Sequence, residues 1–182
     1  MLYWMTAKGL AQLQHLLQEK QLAYAEIRDQ RQLAFELSGD GWHDNPEFNR
    51  MQQFEANINH QVKELTERIE QVRLVDIHDG MRPTTTIGIG SIVKIARWIG
   101  DEPQHETWEL RGYDETDVEG QVLGYNTPLA QWIMHAKVGD YIEEVSIGGQ
   151  VFDIEIIALH RSRADAQLVK GNKPMFIVLE GF

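Results

Sequence analysis

Four side chains able to move protons or hold a hard metal ion crowd the segment SGDGWHDNPEF: Asp40, His43, Asp44 and Glu47. Oxygen ligands of this kind suit Mg²⁺, which is usually held by one or two protein carboxylates while waters and phosphates complete its octahedron. A histidine beside a carboxylate can also bind metal or relay protons. Plain structural roles compete for each residue. Asp44 or Asn45 can cap a following helix, Pro46 suits its first position, and Glu47 suits its first turn, where the helix dipole favours negative charge. A cap uses one carboxylate, however, and leaves Asp40 unexplained. His43 can simply face solvent. Trp42 is a large apolar group in a polar turn, which marks either a contact surface or a local cap packed on Phe48.

The stretches on either side, 6–37 and 46–75, are rich in helix formers and hold no proline beyond Pro46. Apolar residues at alternating spacings of three and four test them as packed helices. In the second stretch the series Phe48, Met51, Glu55, Ile58, Val62, Leu65, Ile69, Val72 keeps that spacing, with Glu55 the polar exception. In the first, Leu10, Leu13, Leu17, Lys20, Tyr24, Ile27, Arg31, Ala34 does the same, with Lys20 and Arg31 the exceptions. Each helix has one apolar seam, and a short turn sets the two antiparallel, so the seams are expected to pack on each other. Lys20, Arg31 and Glu55 are expected to lay their stems along the seam with their charges in water. Thr6 is the expected N-cap of the first helix. At 1.5 Å per residue, about 30 residues span about 45 Å, which exceeds a small domain, so the hairpin is expected to project with the polar cluster at its tip.

The chain has 182 residues, 42% hydrophobic and 25% charged, enough apolar material for a core and for one large domain or two small ones. It has no cysteine, which excludes disulfides and thiolate chemistry. No stretch approaches the roughly 20 apolar residues of a membrane span, and the start MLYWMTAKGL lacks the form of a secretory signal. A soluble, cytoplasmic protein is expected. The net charge of −11 argues against independent binding to DNA or RNA through phosphate neutralisation.

Beyond about residue 76 the pattern changes. HDGMRPTTTIGIG has linker composition, and SIVKIARW, HETWELRGY, DYIEEVSI and QVFDIEIIAL are short, rich in β-branched and aromatic residues and separated by turns. TPLAQWIMHA reads as a short helix with Pro128 in its first turn and Leu129, Ile133 and Trp132 facing inward. The expected fold class is α+β: a coiled-coil helical hairpin at 1–77 with its tip at 38–47, a linker at 78–86, a small antiparallel β domain with one short helix at 87–160, and a C-terminal extension at 161–182. The closing run MFIVLEGF fits either a further strand or an oligomer contact. The acidic run Asp114, Glu115, Asp117, Glu119 reads as a solvated turn.

Three stretches, MTAKGLAQLQHLLQEK, GDGWHDNPEF and RGYDETDVEGQVLGYNTPLAQWIMHAKVGDYIEEV, resemble the Gre transcript-cleavage factors of bacterial RNA polymerase, the GreA/GreB family, across about residues 4 to 160. The resemblance implies an antiparallel coiled coil followed by an FKBP-like domain. It implies that the C-terminal domain docks on the rim of the polymerase secondary channel while the hairpin carries tip carboxylates to the active site. There they would help hold the second Mg²⁺ as the polymerase hydrolyses nascent RNA near its 3′ end in backtracked complexes. On this view the chain is no enzyme itself, needs no cofactor in isolation and shares Mg²⁺ with the polymerase.

Carried over residue by residue, the resemblance places Asp40 and Asp44 as catalytic and metal-holding residues. Trp42 and His43 become contacts to polymerase or the RNA end, and Asn126, Pro128 and Leu129 match the loop that meets the channel rim. The family tip has an aspartate three positions before a glutamate. Aligning Asn45-Pro46-Glu47-Phe48 puts Asp44 at the glutamate position and Gly41 at the aspartate position, with Asp40 one residue earlier. A positive φ at Gly41 would let the turn bulge and return Asp40 to that role. Two other functions stay open: a Gre-like regulator that occupies the channel without cleavage, and a helical-hairpin interaction or chaperone module. With both seams consumed inside the hairpin, a monomer is expected.

Overall fold

The computed structural model describes residues 2–167, at positions 40, 42 and 43 by backbone alone. Of the expected C-terminal extension, residues 168–182 with the run MFIVLEGF lie outside the described residues. The chain divides into two compact units, one built on Leu10–Arg73 and the other on Trp4–Gly9 together with the residues from Leu74 onward.

Two helices dominate the first unit, α1 (Ala7–Ser38) and α2 (Pro46–Glu70). Every expected seam position is buried or half-buried, and Leu13, Ala34, Phe48, Met51 and Leu65 are the deepest. Two of the polar exceptions depart from expectation. Arg31 and Glu55 do not turn to water but form an ion pair across the seam, with side chains 30% and 17% exposed, and the Arg31 guanidinium lies 5.9 Å from the Phe48 ring centroid. A charge at a seam position loses much of its hydration, and an opposite charge at the facing position offsets that loss.

Thr6 caps α1, its hydroxyl accepting from the Gly9 N–H at 3.1 Å. At the other end, α2 stops at Glu70, where the Gln71 N–H turns back to the Arg68 carbonyl at 3.1 Å. Residues Val72–Leu74 (β2) then pair with Tyr3–Met5 (β1), a two-stranded ribbon that replaces the expected last turn of helix. Strands of three residues have no periodicity to read, and Val72 fits a helical seam as well as a strand.

The second unit is a five-stranded sheet of β3 (Ile92–Ile99), β4 (Glu102–Arg111), β5 (Val122–Gly124), β6 (Tyr141–Ile147) and β7 (Gln150–His160), in the order β5-β4-β3-β7-β6. Its four long strands fall where the β-rich segments placed them. The sheet is mixed rather than wholly antiparallel, because the short β5 runs parallel to β4. One face packs on α3 (Pro128–Ile133): Val93, Ile95, Trp108, Leu110, Ile154 and Ile156 meet Leu129, Ala130 and Ile133. Trp132, expected inside, is 43% exposed, since Ala130 rather than Trp132 shares the helix face of Leu129 and Ile133.

Successive strand residues face opposite sides, so Glu109, between the core residues Trp108 and Leu110, lies on the other face of the sheet. It is wholly buried. Arg82 reaches its carboxylate at 3.2 Å and Arg111 at 3.1 Å, and Arg163 pairs with it as well. Arg82, in the expected linker, keeps only 5% of its side chain exposed and also holds Asp79 and the Gly90 carbonyl, each at 2.8 Å. Arg163 donates to the Gly120 carbonyl at 2.8 Å. The network thus ties the segments before β3 and after β7 to the back of β4.

Burial pushes the Glu109 carboxyl up, but hydrogen bonds from Arg111 and Arg163 and the charges of Arg111 and Arg82 outweigh it and hold the group below its ordinary 4.5. A depressed native value stabilises the fold above the unfolded pKa and is lost as pH falls through the native one. Urea unfolding should therefore show this contribution in full near neutral pH and declining below about 4.5. Glu109→Gln should destabilise the protein by about 3–5 kcal/mol at pH 7, because it strands buried guanidinium groups, and should remove that part of the acid dependence.

Candidate functional site

The polar cluster sits where α1 ends and α2 begins. Between Gly39 and Asp44 the backbone makes a 3₁₀ turn. Gly39, just past the last residue of α1, takes φ +52°, the left-handed conformation in which helices commonly stop on glycine. The positive φ expected at Gly41 is thus found at Gly39. A 3₁₀ helix has about three residues per turn, so positions three apart are eclipsed. Gly41 shares Asp44's side of the turn, and position 40 lies about a third of a turn away.

Asn45 settles which residue caps α2. Its Oδ1 accepts from the N–H of Glu47 at 2.9 Å and of Phe48 at 3.5 Å. Its amide nitrogen donates to the Ser38 hydroxyl and to the Ala34 carbonyl at 3.3 Å, while the Ser38 hydroxyl donates to the same carbonyl at 2.5 Å. One asparagine therefore starts α2 and grips the end of α1. This releases Asp44 from capping: its side chain is exposed, and no described residue hydrogen-bonds to its carboxylate. Glu47 is a first-turn carboxylate paired with Arg50 at 3.1 Å. Phe48 is buried, 6.0 Å from Phe35 between ring centroids. The side chains of Asp40, Trp42 and His43, and with them the packing of Trp42 on Phe48, lie outside the described residues.

Among the described residues no group of three or more His, Asp or Glu is assembled for a metal ion. Asp44 offers a hard oxygen ligand open to solvent, which fits lending a ligand to a metal held elsewhere rather than building a coordination sphere. Beside the tip, Leu33 and Leu37 are exposed and, with Met51 and Asn45, line a groove of about 360 Å³. The signal for these leucines was in the sequence, as apolar residues outside the seam series.

The loop before α3 is more ordered than a solvated turn. Asp114, at φ +56°, donates its N–H to Asn126 Oδ1 at 2.9 Å and accepts from Asn126 Nδ2 at 2.8 Å. Glu115 accepts from the Thr6 N–H at 2.6 Å and hydroxyl at 2.8 Å, and Asp117 accepts from the Gly120 N–H at 3.0 Å. These acidic residues hold backbone rather than merely facing water. Thr127 caps α3, Pro128 is exposed at its first position, and Leu129 is buried in the core. Asn126 and Pro128 are thus brought together at the loop, with Leu129 beneath them.

The caps make a stability contrast. Asn45→Ala should cost about 1 kcal/mol in urea unfolding and speed amide exchange at Glu47 and Phe48, whereas Asp44→Ala should stay within about 0.5 kcal/mol of wild type.

The model for the C-terminal domain of the GreA/GreB transcription elongation factors matches residues 82–161. Transcription elongation factor GreA of Rickettsia conorii is 27% identical over 144 residues, covering 76% of this chain and 82% of the relative. GreA of Maricaulis maris is 25% identical over 116 residues, covering 64% and 71%. Among solved structures, GreA factor homolog 1 (Gfh1) of Thermus thermophilus aligns at TM-score 0.40 and 17% identity over 88% of this chain and 99% of its own. Residues 82–161 thus match the C-terminal domain of the GreA/GreB transcription elongation factors, and they follow two long helices joined at a polar tip.

Proposed function

We propose that this protein acts on bacterial RNA polymerase in the cytoplasm as a monomer, entering the secondary channel with its hairpin and stimulating cleavage of nascent RNA in backtracked complexes. The observation that carries the reading is the exposed Asp44 carboxylate at the turn, to which no described residue hydrogen-bonds and which Asn45 relieves of capping. Asp44 and Asp40 would hold the second Mg²⁺ together with ligands that the polymerase owns. Bound there, Mg²⁺ supplies activation of water and stabilisation of developing phosphoryl charge. The chain's own part is positional. The Asn45 clamp joins the two helix ends and limits how far Asp44 can wander, which matters because an error of about 1 Å in a reacting group can cost about a hundredfold in rate. Asn126 and Pro128 would meet the channel rim, and Trp42 and His43 the polymerase or the RNA end.

A second reading is favoured by the tip backbone. Gly41, not an acidic residue, shares Asp44's side of the 3₁₀ turn. A factor with one carboxylate on that side would occupy the channel and slow elongation without cutting RNA. Cleavage in purified, backtracked elongation complexes separates the two. Shortened RNA with wild type, lost by at least tenfold in both Asp40→Ala and Asp44→Ala, supports the carboxylate pair. Slowed elongation with bound polymerase and full-length RNA supports the plug, and absence of polymerase binding overturns both.

A further inference from the structure

Trp4 is 44% exposed while its neighbour Met5 is buried at 3%, so β1 leaves a large ring at the surface of the second unit, beside the loop that precedes α3. That loop holds the residue by its backbone. The Trp4 carbonyl accepts from the Tyr113 N–H at 2.8 Å, and the Trp4 N–H donates to the Tyr125 hydroxyl at 3.4 Å. Gly112 permits the approach, since a Cβ there would lie 2.6 Å from the Met5 Cα and 2.8 Å from the Trp4 carbonyl oxygen. The two tyrosine rings meet nearly edge to face, with centroids 6.1 Å apart and planes at 67°. Trp4 and Tyr125, 121 positions apart in the chain, are thus gathered with Tyr113 against one loop. A carboxylate completes the group. Asp114 directly follows Tyr113, is exposed, and is fixed by its paired hydrogen bonds with Asn126 at 2.9 and 2.8 Å. The surface runs on from Tyr125 through Asn126 to the exposed Pro128.

Aromatic side chains with a polar edge are enriched at protein interfaces, and an exposed indole beside two tyrosines offers π faces for a partner to cover. The carboxylate selects what that partner brings. Asp114 and the exposed Asp117 repel phosphate, which disfavours nucleic acid, and a hydrocarbon side chain would make no use of either charge. A guanidinium uses both features, because it is planar, always charged, stacks on aromatic faces and donates in a fork to a carboxylate. Lysine, a strongly hydrated point charge, matches the flat ring less well. We propose that Trp4 and Asp114 receive an arginine side chain of the polymerase channel rim, its guanidinium stacked on the indole and hydrogen-bonded to the carboxylate. An ionised carboxylate can accept about four hydrogen bonds, so the one from Asn126 is kept. The inference rests on the reading of Asn126 and Pro128 as rim contacts and supplies the chemistry of the partner that meets them.

Fluorescence anisotropy of the labelled full chain, titrated with purified core polymerase, measures the contact. Trp4→Ala and Asp114→Asn are each expected to weaken binding by about fivefold, whereas Trp4→Tyr, which keeps an aromatic face, should stay within about twofold of wild type. Asp114→Asn keeps an oxygen for the Asn126 amide, so the loop is preserved. The group bound is identified by placing the photo-crosslinker p-azidophenylalanine at position 4 in place of Trp4 and mapping the attached peptide. Attachment within a few residues of a polymerase arginine is expected. Attachment to a polymerase segment without arginine, or to residues 168–182 of this chain, overturns the inference. Wild-type binding that neither Trp4→Ala nor Asp114→Asn weakens overturns it alone, while no binding of wild type overturns the channel reading with it.

Discussion

Glu109 stays ionised on a buried sheet face because three guanidinium groups converge on it, and much of the second unit's chain path follows from that requirement. Arg82 brings in the segment before β3, Arg163 brings in the segment after β7, and Arg111 comes from the same strand. Both incoming residues also bond backbone carbonyls, of Gly90 and Gly120, so satisfying one carboxylate fixes two loops. The first unit meets the same constraint on a smaller scale. Arg31 and Glu55 sit at seam positions where neither could be left alone, and each supplies the other's counter-charge.

Hydrogen-bond accounting divides the labour at the tip. A helix start needs an acceptor for its first N–H groups, and a neutral asparagine meets that need at α2 while its amide grips α1. Among the described residues, the carboxylate of Asp44 is then surplus to structure. The opposite holds in the loop before α3, where Asp114 and Glu115 look surplus in the sequence but satisfy backbone and side-chain donors from distant segments. Acidic residues a few positions apart can therefore differ wholly in role, according to whether a neutral neighbour has already met the local need.

Much of the fold was legible because it rests on local repetition. The seam residues announce themselves at spacings of three and four, the long strands by composition, and Thr6 and Pro128 by the terminus chemistry of the helices they bound. The short strands β1, β2 and β5 were not legible, since three residues carry no period and their pairing partners lie far along the chain. Trp132 was misplaced for a related reason: on a six-residue helix, one apolar side chain more or less does not define a face.

The sequence by itself determined the helical hairpin, the β-rich unit after it and the acidic character of the tip, because each follows from residues close together in the chain. Only the tertiary structure decided that Asn45 rather than Asp44 caps α2, that Glu115 holds the start of α1, and that Arg82 and Arg163 meet at Glu109. Those pairings join residues with no local mark of their partnership. They are selected by burial, which makes an unpaired charge or hydrogen-bonding group costly wherever the folded chain happens to place it.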